Sequence, residues 1–367
     1  LQNDWGVFSE GNDLKAAGVN SQNGAEFRRA RIYIGGTIYE DFEFKTQYDF
    51  AGGDADFKEV YIAANHVPVV GKVTVGHFKE AFGLENTTSD TNHTFLESSF
   101  INAFYPAYNM GVGISNTAFD NRMGYTLGLF KETTSSNEIA AQDSGGHHIT
   151  GRLTGLPIWN EGESYLHLGA SLILKDVGGN DYGPKSTAAA HLGDKVVGLL
   201  NTGGINNAPI AADSVDLFGV EAAYVRGAFH TQAEYQMADI EGDTGVEDAD
   251  FNAYYAQAGY FLTGEHKAYK TSSGKFDKVR PLENFGWGEN KGTGAWELAV
   301  RYSHVDMEDN GYEGGELTDY TVGINWYLNP NMKMMMDYVH GELEDGILGH
   351  GEQDDLDYLL ARFQVTW

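Results

Sequence analysis

The chain has 367 residues, with 24 Lys and Arg against 53 Asp and Glu, a formal net charge of −29 and no Cys. The acidity argues against nucleic acid as a partner, and the missing Cys excludes disulfide frameworks, zinc–thiolate sites and catalytic thiols. No stretch approaches the roughly 18 to 20 consecutive apolar residues of a membrane helix. Because the first residue is Leu1, we expect that a signal peptide has been removed.

Segments in which every second residue is apolar recur along the whole chain. In order they are DFEFKTQYDF (41–50), YLHLGASL (165–172), FHTQAEY (229–235), WELAVRYS (296–303), YTVGINWY (320–327) and YLLARFQVTW (358–367). A period of two predicts β-strands, and the Gly- and Asn-rich breaks between them predict turns. We expect one β domain over 1–367, with 1–25 as a segment before or at the first strand and 175–213 as a long loop.

A soluble sandwich and a membrane barrel both alternate, and two features favour the barrel. Aromatic residues lie near the ends of the apolar faces, as in interfacial girdles. The alternation also continues to Trp367, and in lipid the last strand must pair with the first because no sheet edge can stay open. We predict an all-β transmembrane antiparallel β-barrel of about 16 strands, with about 18 as the alternative. The alternative of another class is a secreted soluble β-rich binding or adhesion protein.

No motif for catalysis is present in the sequence. A nucleophile elbow, a phosphate-binding loop and a locally marked Ser/His/Asp set are all missing. We therefore expect no enzyme, no cofactor and no metal site.

Several motifs together resemble one family of membrane proteins. They are FRRARIYIGGTIYEDFEFKTQYDF (27–50), GHFKEAFGLENTTSDTNHTFLESSF (76–100), FLTGEH (261–266), GKFDKVRPLENF (274–285), GAWELAVRYSHVDM (294–307) and GINWYLNPNMKMMMDY (323–338). In this order they are similar to the phosphate-selective porin O and P family of bacterial outer membranes. The resemblance implies a 16-stranded homotrimeric porin for small hydrophilic solutes or ions, in contact with outer-membrane lipid and lipopolysaccharide. It also implies that the third external loop folds inward to form the constriction.

The expected inward loop, 83–113, departs from the Lys- and Arg-rich constriction of anion-binding family members. It carries Glu85, Asp90 and Glu97, and residues 80–121 contain no Lys or Arg. Opposite charges about 4 Å apart are worth about 4 kcal/mol at an effective dielectric of about 20, so carboxylates without a local cation make a poor phosphate site. We expect passive diffusion with weak, cation-leaning selectivity, and an anion- or phosphate-selective pore is the alternative.

Basic residues on the strands complete the set of candidate pore residues. Arg29 and Arg31 face the lumen if Ala30 faces lipid, and there they either balance the acidic loop or pair with wall carboxylates such as Glu43 and Glu59. Arg152, Arg301 and Arg362 occupy lumen positions, where pairing within the wall is the expected role. The candidate pore residues are Arg29, Arg31, Lys45, Lys79, Glu85, Asp90, Glu97, Arg152, Arg301 and Arg362.

Overall fold

The segments of period two fold into strands in the computed structural model, which describes residues 1–19, 21–106, 108–133, 146–187, 190–192, 197–201, 209–287 and 292–367. The strands are β1 Gln2–Glu10, β2 Gly24–Arg29, β3 Arg31–Ile38, β4 Phe42–Asp49, β5 Asp56–Val67, β6 Gly71–Lys79, β7 Tyr108–Ala118, β8 Met123–Lys131, β9 His147–Asn160, β10 Ser164–Tyr182, β11 Lys185–Thr187, β12 Val197–Asn201, β13 Ile210–Arg226, β14 Phe229–Gly242, β15 Ala249–Phe261, β16 Tyr269–Lys270, β17 Lys275–Phe276, β18 Ala295–Asp309, β19 Tyr312–Asn329, β20 Met332–Glu344 and β21 Gln353–Val365. Two short helices are α1 Asn12–Ala16 and α2 Leu84–Thr87. No helix in these described ranges is long and apolar enough to cross a membrane.

Seventeen strands form one sheet that closes almost completely into an antiparallel barrel. Each strand from β3 to β10 pairs with the next, and the ladder continues through β13, β14, β15, β18, β19, β20 and β21. The last strand returns to β1 in a register that runs from Gln2↔Gln364 to Glu10↔Leu356. β1 also pairs with β2, and only Ala30 separates β2 from β3. The predicted pairing of the last strand with the first is therefore confirmed, although β21 ends two residues before Trp367.

Away from the mouth-side ends of the strands, where apolar side chains such as Ile240, Val305 and Met307 form a buried cluster, the two faces of the sheet have the reverse of the usual polarity. On β14, His230 and Gln236 are buried, whereas Phe229 is 41% exposed. On β18, Glu297 is buried while Val300 is 54% exposed. A sheet that buries its polar side chains and exposes its apolar ones fits an outer face in lipid and a polar interior. This pattern excludes the soluble sandwich, whose apolar face is buried.

Connections differ between the two ends of the barrel. At one end, called the short-turn end, six connections have two to four residues: 39–41, 68–70, 119–122, 161–163, 227–228 and 330–331. The opposite end, called the mouth end, carries 11–23, 50–55, 80–107, 243–248, 310–311 and 345–352 among its connections. One long connection, 262–294 between β15 and β18, lies at the short-turn end.

Two sequence expectations are revised by these bounds. The long loop predicted over 175–213 is wrong at both ends, because β10 and β13 continue their ladder to Tyr182↔Ile210. Of this stretch, 188–189, 193–196 and 202–208 lie outside the described residues. Within 1–25, residues Gln2–Glu10 form a barrel strand and the five residues Asn12–Ala16 form a helix.

Candidate functional site

The loop between β6 and β7, called the β6–β7 loop (residues 80–106), packs an apolar side against the barrel. Phe95, Leu96, Phe100 and Phe104 are all buried. Helix α2 begins after Gly83, whose φ of 72° and ψ of 159° lie in a region that is essentially restricted to glycine. A Cβ atom at Gly83 would also lie 2.6 Å from a carboxylate oxygen of Glu234. The local sequence therefore fits a loop pressed closely against β14.

Side chains of β14 and β18 bind the backbone of this loop. The amide groups of Leu84 and Glu85 donate to the two carboxylate oxygens of Glu234 at 2.8 and 2.7 Å. On β18, Ser303 Oγ accepts from the Phe100 amide at 2.9 Å.

Strands β19, β20 and β21 bind the middle of the loop. Asp337 accepts from the Leu96 amide at 2.8 Å, and Lys333 Nζ donates to the His93 carbonyl at 2.7 Å. Further donors to loop carbonyls are Asn325 to Thr94 at 2.7 Å, Arg301 to Glu97 at 2.9 Å, Gln364 to Thr91 at 2.9 Å, and Arg362 to Leu96. Wall side chains of five strands thus bind the loop backbone at several positions.

Glu97 is bound by two arginines from distant strands. Arg28 Nε and Nη2 donate to its two oxygens at 2.9 and 3.0 Å, and Arg362 Nη2 donates at 2.6 Å. Arg362 is itself paired with Asp4 at 2.6 Å. Burial alone would raise the pKa of Glu97, but the charges of Arg28 and Arg362 outweigh it and hold this pKa well below its usual range.

Asp90 is bound by Arg29 at the end of β2 and by Arg31 at the start of β3. Arg29 Nε and Arg31 Nη1 approach Asp90 Oδ2 at 2.9 and 2.8 Å, and Arg31 also donates to Asp49 at 2.8 Å. Burial would raise the pKa of Asp90, but Arg29 and Arg31 lower it well below its usual value.

Glu85 has mainly neutral partners. The amide and hydroxyl of Ser99 donate to its Oε2 at 3.0 and 2.7 Å, and the Tyr105 hydroxyl donates at 2.9 Å. Arg301 Nη1 is 4.0 Å from its other oxygen.

The premise that these three carboxylates lack a local cation is wrong. The cations come from positions far away in the sequence, such as Arg28, Arg31 and Arg362, which barrel closure brings to the loop. Arg29 and Arg31 also do not pair with Glu43 or Glu59 as the alternative assumed. Glu43 instead accepts from Lys72 and the Tyr61 hydroxyl, and Glu59 pairs with Lys45.

The remaining predicted residues have mostly structural contacts. Lys79 Nζ donates to the Asn86 carbonyl at 3.0 Å. Arg152 pairs with Glu221 at 2.5 Å and donates to the Gly274 carbonyl at 2.8 Å. Arg301 lies 3.9 Å from Asp319.

Sequence reasoning assigned no role to a second long connection, called the β15–β18 segment (residues 262–287). It enters the barrel from the short-turn end and binds wall side chains: Tyr165 donates to the Lys267 carbonyl at 2.8 Å, and the Tyr269 hydroxyl lies 2.6 Å from His167 Nδ1. It also reaches the β6–β7 loop, because Phe276 shares an apolar cluster with Leu84. Two of the motifs that carry the family resemblance, FLTGEH (261–266) and GKFDKVRPLENF (274–285), lie in or overlap this segment, and its Phe276 and Val279 are buried.

A cavity of about 610 Å³ lies between β3–β5 and these two connections. Its lining includes Arg31, Glu43, Lys45, Tyr61, Ser89 and Lys278. Arg31, Glu43 and Lys45 are each in an ion pair. Lys278 has no carboxylate within ion-pair distance among the described residues.

A barrel with an apolar outer face and a charged interior defines a transmembrane barrel protein. The family model of phosphate-selective porin O and P matches residues 1–367. The chain belongs to the phosphate-selective porin O and P family, and it is a protein of the bacterial outer membrane.

Individual relatives agree with this assignment. Porin O of Pseudomonas aeruginosa is 28% identical, over 95% of this chain and 83% of the relative. Two solved structures share the fold at low identity. An anion-selective porin from Comamonas acidovorans has a TM-score of 0.57 at 11% identity, and the match covers 98% of this chain and 96% of the porin chain. The trimer form of Vibrio cholerae OmpT has a TM-score of 0.57 at 13% identity, and the match covers 99% of this chain and 96% of the OmpT chain.

Proposed function

We propose that the chain is a water-filled channel for passive diffusion of small hydrophilic solutes and ions, in which the β6–β7 loop folds inward as the constriction. The carrying observation is that side chains of β14, β18, β19, β20 and β21 bind the loop backbone. At least four other strands of the sheet separate β6 and β7 from any of these five. With neighbouring strands about 4.8 Å apart, a loop reaches such distant strands by crossing the interior.

The single-domain barrel is proposed to have sixteen strands. β2 and β3 follow one another with only Ala30 between them, and they pair on opposite sides with β1 and β4. The Asp49 carboxylate accepts from the Ala30 amide at 2.9 Å, which accounts for the interruption. Counted as one bent strand, β2 and β3 reduce the seventeen to sixteen, the even number that bacterial barrels prefer.

The assembly is proposed to be a homotrimer in contact with outer-membrane lipid and lipopolysaccharide. β4 has eight residues, fewer than the roughly 9 to 11 that a tilted strand needs to span the bilayer. A neighbouring copy would cover this low part of the wall. The trimer form of Vibrio cholerae OmpT supports the idea by analogy of fold. A native mass of one barrel per particle would contradict it.

We propose that the ion selectivity of the channel is weak. Any preference for cations is proposed to arise at the mouth end. The constriction carboxylates Asp90 and Glu97 are paired with arginines, so they add little negative field. The net charge of −29 leaves many carboxylates elsewhere, including the exposed Asp248, Asp250 and Glu313 at the mouth. These side chains would concentrate cations within about 10 Å at 0.1 M salt.

Anion-selective uptake is the second candidate function. Lys278 faces the 610 Å³ cavity without a carboxylate partner among the described residues, which favours anions locally. The Comamonas acidovorans neighbour is itself described as anion-selective.

Planar-bilayer recordings test the channel and separate the two candidates. In a KCl gradient, a weakly selective pore gives a reversal potential near zero. A strongly anion-selective potential, or block of chloride current by micromolar phosphate, would favour the second candidate. Folded protein that passes no current would contradict the channel itself.

A further inference from the structure

Lys267 of the β15–β18 segment is a buried cation that contacts the β6–β7 loop directly. Its side chain is 1% exposed, and Nζ donates to Thr94 Oγ1 at 2.7 Å. The second contact of Nζ is Glu297 Oε1 on β18, at 3.9 Å. This lysine therefore joins two connections that enter the barrel from opposite ends.

Glu297 is held in place by three further side chains. His230 Nε2 lies 2.7 Å from Oε1, and Asn325 Nδ2 and the Tyr327 hydroxyl donate to Oε2 at 2.8 and 2.6 Å. Asn325 Nδ2 also donates to the Thr94 carbonyl at 2.7 Å. Thr94 is thus bound twice, at its carbonyl by the wall and at its hydroxyl by Lys267.

An uncharged side chain would fill the Lys267 position without a desolvation cost. Burying an ammonium group is unfavourable by several kcal/mol unless its partners compensate, and apolar replacements of buried ion pairs are often neutral or stabilising. Burial lowers the pKa of Lys267, and the Glu297 charge opposes that effect. What the lysine adds over an apolar residue is a directed bond to the loop.

We propose that Lys267 is a positioning residue that fixes the β6–β7 loop relative to the β15–β18 segment, so that the two connections hold one passage of constant width. The inference rests on the proposed channel function. It does not require Lys267 to contact the permeating ion, because the side chain is buried.

The test compares K267M with the conservative variant K267R and with K175M. Lys175 is the control, since it also pairs with a carboxylate, Glu132, at 3.0 Å, and neither Glu132 nor the Tyr182 ring that it also contacts belongs to the β6–β7 loop. Heat-modifiable gel migration first establishes that each barrel is folded. T94V, which removes the acceptor hydroxyl at nearly constant volume, provides a second variant if K267M does not assemble.

Two measurements are then made on each folded variant. In K267M, hydrogen exchange of the Leu84, Leu96 and Phe100 amides should accelerate about tenfold or more, the factor that corresponds to loss of one hydrogen bond to a charged group. Single-channel current in K267M should become noisier at constant voltage. K267R, which keeps a charged donor, should restore both properties, and K175M should match the parent protein.

Unchanged exchange and unchanged current noise in folded K267M would overturn the proposal. A shift of reversal potential with unchanged exchange would also overturn it, since Lys267 would then act as a lumen charge. If the parent protein passes no current, the channel function fails, whereas the exchange measurement still decides the role of Lys267.

Discussion

At the residue scale, Glu97 determines how many wall arginines remain available to the lumen. Its two oxygens accept from Arg28 and Arg362, and Arg362 has a second carboxylate partner in Asp4. Arg28 has no other ion pair in the described part of the chain. Removing the charge of Glu97 would therefore leave Arg28 without an ion-pair partner in the described part of the chain.

E97Q should shift selectivity toward anions. The interaction of one uncompensated positive charge with an anion about 4 Å away is favourable by about 1 kcal/mol in a water-like dielectric. This energy corresponds to about a fivefold increase in the local anion concentration. The reversal potential in a KCl gradient measures this change. E132Q is a control, because Glu132 pairs with Lys175 and neither residue belongs to the β6–β7 loop. An unchanged potential in E97Q would mean that Arg28 does not face the passage.

Lys275 on the β15–β18 segment should make selectivity depend on pH. Burial is the main cause that lowers its pKa to about 8, with Lys270 and Lys79 adding to the effect and Glu59 opposing it. The ammonium is therefore charged below about pH 8 and neutral above it. Anion permeability should fall as the pH rises from 7 to 9, and reversal potentials measured across that range check this. K275M should have a flatter profile than the parent protein, and an identical profile would contradict the assignment.

At the element scale, the sequence predicted strands well and loop contacts poorly. Alternation depends only on which face of a strand is buried, so Glu297 and Arg301 could be placed on the inner face from their spacing alone. The partners of Asp90 and Glu97 could not be found this way, because Arg29 and Arg362 are far from them in sequence. The Lys267–Thr94 contact also depends on closure, since it spans 173 positions.

G83A should loosen the start of the β6–β7 loop. Gly83 has backbone angles that cost a non-glycine residue about 1 to 3 kcal/mol, and its Cβ would lie 2.6 Å from Glu234. The Leu84 and Glu85 amides, which donate to Glu234, should then exchange about tenfold faster or more. G53A is the control, because Gly53 also has a positive φ but no neighbour within 4 Å of a Cβ. Equal exchange in G83A and the parent would show that the loop tolerates the strain.

At the scale of the whole molecule, period and length together predicted a closed antiparallel barrel but not its internal electrostatics. Closure followed from the alternation that continues to the last residues, and the β1–β21 register confirms it. Net charge was a poor guide to the charge balance of the β6–β7 loop. The acidic excess of the chain includes exposed positions such as Asp248 and Glu313, whereas Asp90 and Glu97 of the β6–β7 loop pair with arginines.

Any cation preference of the channel should therefore weaken strongly with salt. Screening extends over about 10 Å at 0.1 M ionic strength but only about 3 Å at 1 M, so mouth carboxylates influence entering ions mainly in dilute solution. The ratio of cation to anion permeability should approach one as KCl is raised from 0.1 to about 1 M. The triple variant D248N/D250N/E313Q should have a ratio closer to one than the parent protein at low salt, and reversal potentials measure both effects. A preference that persists at high salt and in the triple variant would place its source at the proposed constriction, where fixed charges close to the ion are screened much less.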